Sequence, residues 1–260
     1  MAVDIKRYLR KTGPLYHALS VLYVYLNRHS QLCEVPIDIC VNPMGFSFGP
    51  GGWNYLIEQL REFDRGKEPD VTDSVLYKFH NRYQPEDMSD IPVSAGFDVA
   101  FKPALSIYPW GSFDIEQSRR GGTAKNALTS RFYGPSSFAL VEKDLSNLRS
   151  LYESIRAHGY RPWHFKNAFI GGVFLERANG QKKFVVLQGN HRTAILAHLG
   201  HKQIRTRYLR GHYQCVSEKD ISNWFYVKSG ACSEQDARAY FDSFFMLNGR
   251  ERARRMGFNQ

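Results

Sequence analysis

The stretch from Phe184 to Gly200 constrains the fold more than any other part of the chain. Phe184-Val185-Val186-Leu187 is a run of four apolar residues, which reads as a buried strand. Gly189 breaks the run and polar residues follow it. Apolar residues return at Ile195, Leu196 and Leu199, which is helical spacing, and Gly200 stands where a helix C-cap belongs. The unit is therefore a strand, a tight glycine turn and a helix N-terminus. Such a turn aims free backbone N–H groups and the positive end of a helix dipole at one spot, where an anion is favoured. His191 and Arg192 fall at that spot, and an arginine there can grip phosphate or carboxylate with two parallel bonds.

These residues also carry a resemblance. Gly189-Asn190-His191-Arg192, with Ala194 and Gly200 behind it, resembles the nucleotide-phosphate box of the ParB/sulfiredoxin superfamily. That box reads Gly-Cys-His-Arg in sulfiredoxins, Asp-Gly-His-His-Arg in free-serine kinases and Gly-Glu-Arg-Arg in ParB partition proteins. The segment Asp144 to Tyr160 is similar to the superfamily's helix before the box. Ile170 to Leu175, the Ala178-Asn179-Gly180 turn and Phe184 to Leu187 resemble the hairpin leading into it. His201 to Leu209 is similar to the strand that closes the module. The resemblance spans residues 96–212 and is nearest in motif to the kinases. Gln188 stands where the kinases tend to have Asp. Asn190 replaces the sulfiredoxin cysteine, so thiol chemistry is not expected.

The resemblance implies a set of roles. Gly189, Asn190, His191, Arg192 and Thr193 would hold nucleotide phosphates, with ATP or ADP and Mg2+ as cofactors. The related kinases place a glutamate just before the helix that precedes the hairpin, and Glu142 occupies that place here. Glu142 and His191 are thus the candidate catalytic residues, with Glu116 as a second carboxylate. The implied activity is phosphoryl transfer to a hydroxyl of a small molecule. The chain also resembles proteins associated with bacterial surface-polysaccharide genes, which points to a sugar or polyol acceptor. A non-catalytic nucleotide-binding switch of ParB-like type is the alternative.

Other loops add candidates from the residues themselves. Ser130-Arg131-Phe132-Tyr133-Gly134-Pro135-Ser136-Ser137 joins turn formers to aromatic and small polar groups, as site loops often do. Ser130 and Arg131 are its candidate nucleotide- and phosphate-binding residues. Gly45 to Gly52 is glycine-rich, but its spacing fits neither a P-loop nor a dinucleotide fingerprint. It reads as a substrate-side loop or plain turn.

Composition narrows the partners. A net charge of +10 favours anionic ligands such as nucleotides. A basic nucleic-acid-binding protein has charge alone in its favour, since no helix-turn-helix is evident. Arg250, Arg252, Arg254 and Arg255 read as a solvated helix face or frayed tail. The cysteines, Cys33, Cys40, Cys215 and Cys232, make no CxxC pair and no signal peptide is evident, which predicts a reduced, cytoplasmic protein. Pro14 to Leu26 is apolar but too short to span a bilayer, which takes about 20 residues. Its basic flanks allow peripheral membrane contact through residues 5–28.

The expected fold class is α+β. Residues 1–95 read as mostly helical, with helices over 14–29, Trp53 to Phe63 and Thr72 to Tyr83. Residues 96–212 form the ParB/sulfiredoxin-like α/β module, with a short strand ending in a turn over Leu105 to Gly111. Residues 213–260 read as a helical appendage, where Ser217 and Ser233 each precede an acid by three residues in capping-box fashion. Trp224, Phe225, Phe241, Phe244 and Phe245 lie at helical spacing and read as packing residues.

Overall fold

The computed structural model describes residues 32–66, 70–87, 90–91, 108–111, 132–162, 169–209 and 213–258. The fold is α+β. In chain order the elements are β1 (Leu32–Pro36), β2 (Cys40–Val41), α1 (Tyr55–Asp64), α2 (Val75–Arg82), α3 (Phe138–His158), β3 (Ile170–Glu176), β4 (Lys182–Gln188), α4 (Asn190–His198), β5 (Gln203–Tyr208), β6 (Cys215–Ser217), α5 (Phe225–Lys228), α6 (Glu234–Met246) and α7 (Arg250–Arg255).

The sheet runs β1-β5-β3-β4-β2. The β3–β4 hairpin at its middle is antiparallel, with Phe174 opposite Phe184, and Ala178-Asn179-Gly180 falls at its turn. The register shifts between Gly171 and Gly172, beside Gln188. Strands β5 and β6 both run parallel to β3, along successive stretches of it. Phe184, Val185 and Val186 are all buried, so both faces of β4 are covered there. This explains why its apolar residues run together instead of alternating. Helix α4 lies against β3 and β4, and α1 and α3 pack on α4.

Local chemistry accounts for the helix ends. Asn54 accepts from the Leu56 N–H, Ser74 from Tyr77, Ser137 from Leu140 and Ser233 from Asp236. Each satisfies one donor that helix geometry leaves over. Ser217 likewise accepts from Lys219 at the start of a 3-10 turn over 218–223. At the far end of α4 the His201 N–H reaches the Leu196 carbonyl (3.0 Å) and the Gly200 N–H reaches Ala197 (3.1 Å). This paired closure requires a left-handed residue, and Gly200 has φ +82°.

Several expectations need correction. The region expected to be mostly helical contributes β1 and β2, so the sheet draws strands from both sides of position 95. The appendage begins with a strand, β6, which joins β3. Tyr108–Gly111 forms the expected turn, closed by a 2.7 Å bond from the Gly111 N–H to the Tyr108 carbonyl, while the strand expected ahead of it falls on 105–107, outside the described residues. Helix α3 starts at Phe138, six residues before Asp144, because Ser137 caps it. The Gly45–Gly52 loop, by contrast, keeps to its plain-turn reading: Asn42 Oδ1 accepts from the Met44 and Phe46 N–H groups at 3.0 and 2.9 Å. Those amides serve the loop itself and make no open phosphate cradle.

The basic C-terminal cluster is only partly solvated. Arg252 is buried at 3% exposure. Its Nη1 donates to Tyr83 Oη (3.1 Å) and to the Ile91 carbonyl (2.8 Å), and its guanidinium lies 4.2 Å from the Phe46 ring centre. No carboxylate pairs with it among the described residues. Burial pushes its pKa below the ordinary arginine value, and Tyr83 opposes that. The aromatic residues of the appendage mostly pack, as expected. Trp224, Phe241 and Phe244 are buried with Trp110 and Tyr240, whereas Phe225 is 42% exposed. Among the described residues no helix is long and apolar enough to cross a membrane. The expected helix over 14–29 and the basic segment 5–28 lie outside the described residues.

A carboxylate at the C-terminus of α1 ties three helices together. Tyr152 Oη donates to Asp64 Oδ1 (2.5 Å), His198 Nε2 lies 2.7 Å from Oδ2, and Arg156 is 3.9 Å away. The Tyr152 bond does most to hold the Asp64 pKa below its ordinary 3.8; burial opposes it, and His198 and Arg156 lower it further. A depressed carboxyl pKa stabilises the fold above 3.8, and that stability is lost as pH falls through the folded value. His80, held below its ordinary 6.5 by burial, acts with the same sign from a higher pH, because the unfolded chain takes up the proton first. The melting temperature should therefore decline in two stages on acidification. Asp64→Asn should flatten the lower stage and leave the upper one, as read by thermal melts at a series of pH values.

Candidate functional site

The turn between β4 and α4 is built by Gly189. Its backbone is left-handed, with φ +91° and ψ 29°. A Cβ there would sit 3.2 Å from the Ile170 Cα, so both conformation and space favour glycine. The turn starts a nine-residue helix whose first residue follows directly, and no side chain caps it. The first-turn N–H groups thus meet whatever lies outside the helix end.

Three side chains of the box are differently placed. Asn190 is 9% exposed, and its Nδ2 donates to the Val186 carbonyl at 3.1 Å. A carbonyl only accepts, so this bond fixes the amide's orientation. Oδ1 is left as a buried acceptor with no donor among the described residues. Arg192 is half-buried beside Tyr160, and burial lowers its pKa while Tyr160 opposes that. The Tyr160 hydroxyl is itself anchored by the Ile170 N–H at 3.1 Å, and burial pushes its pKa up to about 12 against Arg192 and Arg205. Thr193 is fully buried, and its hydroxyl donates to the Gly189 carbonyl at 3.1 Å. Its side chain therefore stiffens the turn, and that proton is already engaged.

His191 meets a carboxylate. Its Nε2 lies 3.1 Å from Asp144 Oδ2, with side-chain exposures of 17% and 5%. Asp144 is on α3, in register with buried Val141, Leu148, Tyr152 and Ile155. Behind it stand two more polar groups. Tyr55 is buried, and desolvation and then Asp144 raise its pKa. His80 is also buried; desolvation lowers its pKa, while a bond to the Tyr133 carbonyl and the Asp144 charge oppose this. His80 Nδ1 also meets Ser136 Oγ at 3.2 Å.

The carboxylate at this site is thus Asp144. Glu142 is exposed on α3. Residues two apart on a helix point about 200° apart, so the face that carries Asp144 to His191 carries Glu142 away. Glu142 also lies inside the helix, in its second turn, and not ahead of it. Asp144 had a legible signal, since it is the one acid among the residues at three- and four-residue spacing on the apolar stripe. Ser130, Arg131 and Glu116 lie outside the described residues. The described part of their loop, Phe132–Ser137, clasps α2: the Gly134 N–H donates to the Tyr83 carbonyl at 2.7 Å.

Among the described residues no group of three or more His, Cys, Asp or Glu is placed so that it could hold a metal ion. A magnesium ion carried by a nucleotide needs only one or two protein oxygens beside the phosphates and water. Beside the turn, the unpartnered Asn190 Oδ1 is a neutral, buried acceptor that could take a hydrogen bond from a metal-bound water. The chain matches no protein-family model and no curated protein sequence.

Proposed function

We propose that this chain is a nucleotide-dependent phosphotransferase that acts on a hydroxyl of a small molecule, built on a ParB/sulfiredoxin-like module. The observation that carries the reading is the Gly189 turn. An uncapped helix N-terminus, the half-buried Arg192 and an Asp144-held His191 all belong to it. Backbone N–H groups and a desolvated cation suit phosphate oxygens, and phosphoryl transfer relies on such positioning and charge. Asn190 adds a buried acceptor that a ligand hydroxyl or a metal-bound water would satisfy. The net charge of +10 suits the same anion. A sugar or polyol of surface-polysaccharide biosynthesis is the acceptor class proposed, with ATP or ADP and Mg2+ as donor, in the cytoplasm or peripheral to its membrane.

A thermal-shift titration with ATP and ADP, each with and without magnesium, tests the binding half. A ligand that binds only the folded state raises the melting temperature, by roughly 2.7 kcal/mol of stability at a hundredfold excess over Kd. A flat response to both nucleotides would remove the reading. Incubation of labelled ATP or ADP with a pool of sugars and polyols tests the transfer half.

A further inference from the structure

We infer that His191 Nδ1 takes the proton from the acceptor hydroxyl, with Asp144 as the positioning residue that makes Nδ1 the basic nitrogen. The inference rests on the phosphotransferase reading and names its proton acceptor. A carboxylate oxygen accepts hydrogen bonds and does not donate them. The 3.1 Å contact between Asp144 Oδ2 and His191 Nε2 therefore places the proton of the neutral imidazole on Nε2. The lone pair is then on Nδ1, which has no partner among the described residues. A carboxylate that holds one imidazole nitrogen so that the other can act is a recurring arrangement in catalysis.

The surroundings support a held geometry. The Asp144 side chain is 5% exposed, and it faces Tyr55 from α1, His80 from α2 and His191 from α4. His191 follows Asn190 directly and precedes Arg192, so its ring belongs to the same turn that presents the helix N–H groups. A proton acceptor and a phosphate grip within one turn put the hydroxyl and the phosphorus within reach of each other. The step balances as follows. The hydroxyl O–H bond breaks and its proton goes to Nδ1. The hydroxyl oxygen bonds to the terminal phosphorus of the nucleoside triphosphate or diphosphate. The bridging P–O bond breaks, and its electron pair leaves with the remaining nucleotide. The imidazolium then returns its proton to solvent.

The test uses the full chain, ATP with Mg2+ as donor and the sugar and polyol pool as acceptor. His191→Gln should lose about 10²–10⁴ in kcat, the usual scale for a proton-transfer residue, and should lose the acid limb of the wild-type pH profile. Asp144→Asn should lower kcat while calorimetric ATP affinity stays within about threefold, since it acts through His191 and not on the phosphates. Nitrogen NMR of the imidazole separates positioning from scaffold. The wild type should show the Nε2–H tautomer, and Asp144→Asn should lose that preference while the melting temperature shows a folded chain. If Asp144→Asn does not fold, the wild-type tautomer and His191→Gln decide. An Nδ1–H tautomer in the wild type overturns the inference, as does undiminished transfer by His191→Gln. So does a loss of turnover in Glu142→Gln that Asp144→Asn does not share. ATP binding without transfer to any acceptor also overturns it, and leaves the turn a nucleotide site. Absence of ATP binding in the wild type instead removes the phosphotransferase reading itself.

Discussion

Gly134→Ala should destabilise the fold by about 3–5 kcal/mol, the range reached when overpacking has no route of relief. A Cβ on Gly134 would lie 1.6 Å from the His80 carbonyl oxygen and 2.6 Å from its carbon. Both partners are backbone, so no side-chain rotation clears the clash. Nor can the loop swing away, because four contacts hold it. The Gly134 N–H is bonded to Tyr83, Tyr133 is buried, Ser136 meets His80, and Ser137 caps α3. Displacing the loop would break these contacts at the start of the helix that carries Asp144. Urea unfolding checks the expectation, with a lower midpoint at unchanged slope. Gly51→Ala is the control, since a Cβ there meets nothing within 4 Å. It should stay within about 0.5 kcal/mol of wild type. A Gly134→Ala variant as stable as that control would show that α2 and the loop are not in contact.

Arg192→Ala should weaken nucleotide binding by about 1.5–3 kcal/mol, the scale of a hydrogen bond to a charged group. That is roughly a ten- to hundredfold rise in Kd. Arg192 is half-buried at the second residue past Asn190, so its charge is less screened than that of a solvated arginine. Arg192→Lys should fall between the two, because it keeps the charge and loses the planar fork. Calorimetry with ATP and Mg2+ reads both variants, and thermal melts confirm that they fold. Unchanged affinity in a folded Arg192→Ala chain would sink the assignment of the turn.

Short-range chemistry was legible in the residues. Phe184 to Leu187 is one apolar run, and glycine follows because the turn is left-handed at Gly189. Gly200, Ser217 and Ser233 each mark an end that a local hydrogen bond closes. All of these depend on neighbours within six residues, which the sequence places side by side. The helix over Asp144 to Tyr160 is expected from the resemblance alone, and its start at Phe138 follows from the Ser137 cap.

Long-range pairing was not legible. Leu32–Pro36 becomes a strand because Val35 lies opposite Ile204 and Cys33 opposite Thr206. Nothing within five residues of it specifies that partner. Cys40–Val41 is too short to carry a period at all, and it is a strand only because Phe184 and Val185 lie alongside. Arg252 looks like its arginine neighbours in sequence. It is buried because Phe46 offers a ring face, and Tyr83 and Ile91 offer acceptors, all more than 150 positions earlier. The site divides the same way. The glycine turn before α4 is a local motif and is legible as one. Helical phase puts Asp144, and not Glu142, on the apolar stripe of α3, but it does not name the partner that the carboxylate meets. Only the packing of α3 on α4 does that, by bringing one side of that helix to His191 and turning the other to water.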